Sequence, residues 1–322
     1  MNTIKKGVCI AASAFLGLLF NASAVADTLL FPVIAVNTPN VITVVSVVND
    51  SPGAPRLRYI YRAKDTTVAG SPNIGGTCDS VTFTRNTADK DLVSFDASGT
   101  LNSGDALFGD TDVYGGGFDL GATDPKRAYL LVTHANNAGT RVNVGNLAAL
   151  TGEAIVMDIA TGAAWGMRGI NDLSREDYEF RNYPAGGGVY SALPNLTTSK
   201  RFTFFPPTDW TTRFFVTPIG AAMDSANLAS IVSLSLAPVY DRSSTAYPLP
   251  LINPTVTCTG AVDLTALLDA ATAAALETSG GWATLATAGA PTIIYKLEYI
   301  LDDPSLGGTN NNGYLFSGLG AR

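Results

Sequence analysis

Ile42-Thr43-Val44-Val45-Ser46-Val47-Val48, followed at once by Asn49-Asp50-Ser51-Pro52-Gly53, decides the fold class. Five of the first seven residues are Val or Ile, and one more, Thr43, is also branched at Cβ. Branching at Cβ leaves these side chains few helical rotamers and suits them to a pleated surface. The next five residues are all turn formers, so the run ends abruptly. Leu57-Arg58-Tyr59-Ile60-Tyr61-Arg62 reads as the returning strand, with Leu57, Tyr59 and Tyr61 on one face and Ile60 and the arginines on the other.

Outward from there the pattern repeats. Strands are expected at Ser80–Arg85, Arg127–Thr133, Ala154–Ile159, Ala164–Ile170, Phe202–Phe205, Thr212–Pro218, Ser230–Leu236 and Thr292–Leu301. Val156 to Trp165 reads as a hairpin turning at Gly162, which can take a positive φ. The 32 glycines and 17 prolines punctuate the chain at short intervals, which favours many short strands over a few long ones. The expected class is therefore mainly β, sandwich-like or jelly-roll-like. One Ala-rich helix is expected near 264–278, begun by Asp263, stopped at Gly280-Gly281, and facing inward with Leu264, Leu267, Leu268, Ala271 and Ala275. A helical turn is expected at Leu147–Thr151. Residues 169–200 look irregular and mark either a surface loop or a split between two modules.

Residues 1–26 read as a secretory signal peptide. Lys5-Lys6 head an apolar run, Gly7 to Phe20, too short to span a bilayer, and Ala24-Val25-Ala26 suits a signal peptidase. The remaining chain, 27–322, is expected to be an exported β-rich domain, extracellular or on the cell surface, with the periplasm as the other address. It is not expected to cross a membrane after cleavage. In an oxidising compartment Cys78 and Cys258 are expected to bond, since Cys9 leaves with the leader. The loop they close covers more than half of the chain, and the chain-entropy model credits it with roughly 5 kcal/mol at most.

The formal charge of −7 argues against nucleic acid as a partner, because phosphates require basic patches. Only 15% of residues are charged while 46% are apolar, so the surface must rest on small neutral groups. Such a surface orders few long side chains on contact and favours stacking against copies of itself or other surface components.

The chemistry-bearing residues are few. His134 is the single histidine and ends a strand; no Gly-x-Ser-x-Gly elbow occurs, so the chain reads as non-enzymatic, with no cofactor. Asp110-Thr111-Asp112-Val113-Tyr114-Gly115 partly matches a calcium loop but lacks a third alternate ligand and a closing glutamate. Tyr178, Phe180, Tyr183 and Tyr190 sit in the irregular stretch and are interface candidates, for a protein contact or a glycan. Leu29, Leu30, Phe31, Val33 and Ile34 belong to an apolar N-terminal segment without charge from Thr28 to Val48. Such a segment must be buried, either as the first strand of its own fold or as a strand donated to a neighbour.

Four stretches carry a resemblance: Leu30-Phe31-Pro32, Glu153 to Gly166, Asp209 to Pro218, and Val256 to Leu264. With these the chain is similar to an uncharacterised group of exported proteins of Gram-negative bacteria. The resemblance implies an envelope or extracellular setting and no particular chemistry. Two functions therefore stand: an extracellular structural subunit that self-assembles, using its N-terminal segment for strand donation, and a glycan-binding module or adhesin. A secreted hydrolase ranks behind both.

Overall fold

A computed structural model describes residues 28–37, 39–51, 55–64, 74–75, 78–98, 126–142, 149–160, 162–171, 181–183, 189–191, 199–219, 223, 231–248, 252–300 and 314–319. The fold is mainly β. In chain order the strands are β1 (Thr28–Val36), β2 (Val41–Asn49), β3 (Arg56–Lys64), β4 (Cys78–Asn86), β5 (Asp91–Asp96), β6 (Lys126–Ala135), β7 (Leu150–Asp158), β8 (Ala163–Arg168), β9 (Ile170–Asn171) and β10 (Arg181–Tyr183). They continue with β11 (Val189–Ser191), β12 (Ser199–Phe204), β13 (Thr211–Pro218), β14 (Ile231–Asp241), β15 (Ala246–Tyr247), β16 (Thr255–Thr257), β17 (Gly260–Asp263), β18 (Gly281–Gly289), β19 (Thr292–Tyr299) and β20 (Tyr314–Gly318). Among the described residues there is one α-helix, α1 (Ala270–Leu276).

The strands pair antiparallel into four main sheets. Sheet one has the order β4-β3-β6-β1-β9, and sheet two β5-β2-β7-β8. Sheet three runs β12-β18-β14-β15, with β16 also on β14, and sheet four β17-β13-β19-β20. Sheets one and two take all their strands from residues up to Asn171, and sheets three and four from Ser199 onward. Between sheets one and two lies a core that includes Phe31, Val45, Tyr59, Phe95 and Val132. Between sheets three and four lies another, with Phe202, Phe214, Leu234, Leu285 and Ile294.

Sheet one is covered on its second face as well. Leu30, Ile60, Tyr129, Leu131 and Ile170 point away from sheet two and pack with Ile219, Met223, Cys258 and Ile293. That is why β1 is buried at all nine positions instead of at alternate ones. Burial on both faces asks for a continuous apolar run, which is what Thr28–Val36 supplies.

Pro32 cannot donate to a ladder, and the β1–β6 register shifts there, between Phe31 and Ile34. The displaced backbone finds other partners. Thr217 Oγ1 of β13 donates to Pro32 O at 2.7 Å. Thr43 Oγ1 of β2 donates to Ala35 O at 2.7 Å and accepts from Ala35 N at 3.0 Å. One bulge thus joins sheet one to both of its neighbours. Pro238 coincides with a similar register shift in β14, between Ala237 and Tyr240.

The second tie between the halves is covalent. Cys78 and Cys258 are bonded, with Cα atoms 5.9 Å apart and a sequence separation of 180. Beside the bond, Lys64, the register partner of Cys78, is fully buried. Its Nζ donates to Ile74 O at 3.0 Å and to Thr257 O.

Several sequence expectations are corrected here. β3 is not the return of β2. It pairs with β4 and β6 in sheet one, whereas β2 pairs with β5 and β7 in sheet two. The chain crosses between sheets because β3 carries apolar residues on both faces and needs the doubly covered sheet. The turn expected at Leu147–Thr151 ends in a strand, since Leu150 and Thr151 open β7 opposite Asn49 and Val48. The helix is shorter than expected. Leu264–Ala266 is a separate 3-10 turn, and Asp269, not Asp263, caps α1 through Thr272 N at 2.8 Å. Asp263 is instead taken by Arg213. The break shifts the helical phase, so Thr272 and Leu276 face inward while Ala271 and Ala275 are exposed. The β7–β8 hairpin forms as expected, with Asp158 opposite Ala163 and Gly162 at φ 74°.

Candidate functional site

The residues singled out from the sequence do not converge. His134 lies inside β6 with no exposed surface. Asn49 Nδ2 donates to Thr87 Oγ1 at 3.1 Å and Ala88 O at 2.8 Å, which turns its Oδ1 toward His134 Nε2 at 2.9 Å. Nε2 therefore carries the proton, and Nδ1 is a bare, buried acceptor without a partner. Burial, and then the charge of Arg141, lower the imidazole pKa to about 4. A histidine held neutral in a strand interior, facing an amide, is placed to pack and not to shuttle protons.

Leu29, Leu30, Phe31, Val33 and Ile34 were interface candidates. Here they are core residues, none more than 3% exposed. β1 pairs with β6 along its length and with β9 at Leu29 and Leu30, inside its own sheet. Tyr183 and Tyr190 fall in the β10–β11 ribbon, where Asn182 pairs with Tyr190 and Tyr183 with Val189. The stretch thus holds a small hairpin where only irregular chain was expected. Tyr178, Phe180, Asp110 and Asp112 lie outside the described residues. Trp165 packs against the first core, as expected for a residue adjoining a strand.

A site that the sequence did not announce lies between the two halves. A cavity of about 230 Å³ is walled by Ala35, Val41 and Ala163 from sheets one and two, and by Phe215, Leu297 and Tyr299 from sheet four. Trp165 and Phe215 both line it, in contact with each other with ring centroids 6.4 Å apart. Arg127, Arg213 and Asp158 supply the charge.

The two arginines differ. Arg213 of β13 is a cross-strand neighbour of Asp263 on β17. It makes a two-pronged ion pair with Asp263, Nε to Oδ1 at 2.7 Å and Nη2 to Oδ2 at 2.9 Å, and lies over the Tyr299 ring at 5.6 Å. Its charge is answered. Arg127 opens β6 opposite Ala35, and among the described residues no carboxylate pairs with it. Its Nη1 donates to Lys126 O at 3.2 Å, its Nε has no acceptor, and its guanidinium lies 5.9 Å over the Phe215 ring. Burial, and then the neighbouring Arg213 cation, pull its pKa down to about 10, so it is still a cation at neutral pH. The only trace of this site in the sequence is an arginine heading an apolar strand. Nothing there shows that its neighbours come from residues some 30 to 170 positions away.

A second buried charge cluster is complete in itself. Lys296 Nζ meets Glu298 Oε1 at 3.1 Å and Thr203 O at 2.7 Å, and Thr212 Oγ1 donates to Glu298 Oε2 at 3.1 Å. Burial raises the Glu298 pKa against these contacts. With its partners met on β12, β13 and β19, this pair leaves nothing to offer a ligand.

Comparison with protein-family models, with curated proteins and with solved structures finds no match to this chain.

Proposed function

We propose that this chain is a non-enzymatic, exported structural protein of the cell surface or extracellular matrix, assembling with copies of itself. The observation that carries the reading is the outer face of sheet two. Val48, Leu92 and Ile155 are 37%, 54% and 46% exposed there, and Val48 and Leu92 are direct cross-strand partners. Between them lie the Ser46–Ser94 hydroxyl pair at 2.9 Å and one exposed ion pair, Glu153 with Arg168. Apolar side chains grouped on one exposed face favour contact with another surface. The low charge of the chain and its resemblance to exported proteins support the same reading, and the buried, neutral His134 supports a role without catalysis. Assembly in this form does not use β1, which is buried inside its own sheet.

The test is electron microscopy and sedimentation of the protein recovered from outside the cell. Ordered assemblies should form as concentration rises, and Leu92→Glu with Ile155→Lys should dissolve them while the circular dichroism spectrum stays β-rich. A wild-type protein that stays monomeric at high concentration, with no order on the grid, contradicts the proposal. A second reading, a binding module, is favoured by the cavity around Arg127.

A further inference from the structure

We propose that the cavity between the two halves binds a small apolar carboxylate, an aromatic or alicyclic acid of roughly benzoate size, with its carboxylate on Arg127 and its ring against Trp165, Phe215 and Tyr299. The inference deepens the binding-module reading and is independent of whether the chain assembles.

Three features point to this chemistry. The first is the uncompensated cation. A partly buried guanidinium with no carboxylate in direct contact favours an anion beside it, and Arg127 has a carbonyl and a ring where Arg213 beside it has a carboxylate. The second is the wall. Seven of the ten residues around the cavity are Ala, Val, Leu, Phe, Trp or Tyr, which suits a flat apolar body and gives few partners to a ligand rich in hydroxyls. The third is origin. Arg127, Trp165 and Phe215 come from β6, β8 and β13, three strands of three different sheets, and the Pro32–Thr217 and Ala35–Thr43 hydrogen bonds hold sheet one to sheets four and two. A rigid frame keeps such a cavity open without a ligand to prop it. Asp158 in the lining disfavours a second negative charge, so a monocarboxylate fits better than a dicarboxylate.

The experiment is calorimetric titration of the intact, disulfide-closed protein with benzoate, with benzamide as its neutral isostere and with acetate as the carboxylate without a ring. Benzoate should bind saturably at one site, and benzamide and acetate should each bind at least about tenfold more weakly. Arg127→Gln should bring benzoate down to the benzamide level. Ala163→Leu, which fills the cavity and keeps the charge, should weaken benzoate and benzamide alike. The wild-type comparison of three ligands needs no variant, so a variant that fails to fold does not rescue the proposal. No saturable benzoate binding, equal binding of benzoate and benzamide, or benzoate binding unchanged in a folded Arg127→Gln protein overturns it. The assembly proposal is read from particles on a grid, so either can fail alone.

Discussion

Sheet one and sheet three are built from the same antiparallel hairpin chemistry, yet they read differently because of what lies on their second faces. In sheet three, β12 alternates strictly: Ser199, Arg201 and Thr203 are exposed, while Lys200, Phe202 and Phe204 are buried. Its outer face is mostly Thr, Ser and Ala, with Trp282 stacked on Tyr240 at 4.4 Å and Arg201 over the Trp282 ring at 5.3 Å. In sheet one, β1 shows no alternation, because the second face is a second interior. The lesson is that an apolar run near an N-terminus signals double burial, and the second covering layer can be another part of the same chain. The run was open to a donated-strand reading only because the sequence does not show that layer.

The comparison can be broken most forcefully at Leu30. Leu30→Asp puts a carboxylate between sheet one and the Cys258 layer and should cost more than about 5 kcal/mol, enough to lose the native fold. Loss of soluble, protease-resistant protein is the readout. If the variant folds with near-wild-type stability, the second interior does not exist.

Next in size is the covalent tie. Cys78→Ser with Cys258→Ser should lower unfolding free energy by about 2–5 kcal/mol in urea titrations. Pulled from its ends in a force instrument, the oxidised protein should hide the chain between the cysteines, a sequence separation of 180, and reduction should release roughly 60 nm more chain. Equal extensions before and after reduction would contradict the bond.

A pH effect follows from His134. Its pKa is about 4 in the fold and about 6.5 when unfolded, so the unfolded chain binds the extra proton between those values. Stability contributed by the neutral ring is full above pH 6.5 and falls as pH drops toward 4, by up to roughly 3 kcal/mol. His134→Gln, which keeps a donor for Asn49, should flatten that slope. An unchanged slope would show that other groups carry it.

The smallest effect completes the comparison. Thr284 lies between Ala283 and Leu285 of the second core and so faces out of sheet three, opposite Arg201. Thr284→Asp should change stability by no more than about 0.5 kcal/mol. A loss comparable to that of Leu30→Asp would mean that sheet three is also covered.

Much of the β architecture was legible from local chemistry. Branched runs, turn clusters and the Val156–Trp165 hairpin gave strand positions within a few residues, because these signals act between near neighbours. Pairing was not legible. β2 and β3 are adjacent in sequence and lie in different sheets, a choice made by which faces must be covered. The helix phase was misread because Asp263 is a good cap in isolation but is engaged by Arg213, fifty residues upstream. The cavity was invisible for the same reason: Arg127, Trp165 and Phe215 are brought together only when sheets one, two and four close on one another.

The central claim is that sheet one makes the two halves a single cooperative body. Calorimetry of the Cys78→Ser, Cys258→Ser protein tests it most directly, since the covalent tie is then gone and only the shared interior remains. One unfolding transition, with calorimetric and van't Hoff enthalpies equal, is the result the account predicts. Two resolved transitions, one for each sandwich, would contradict it.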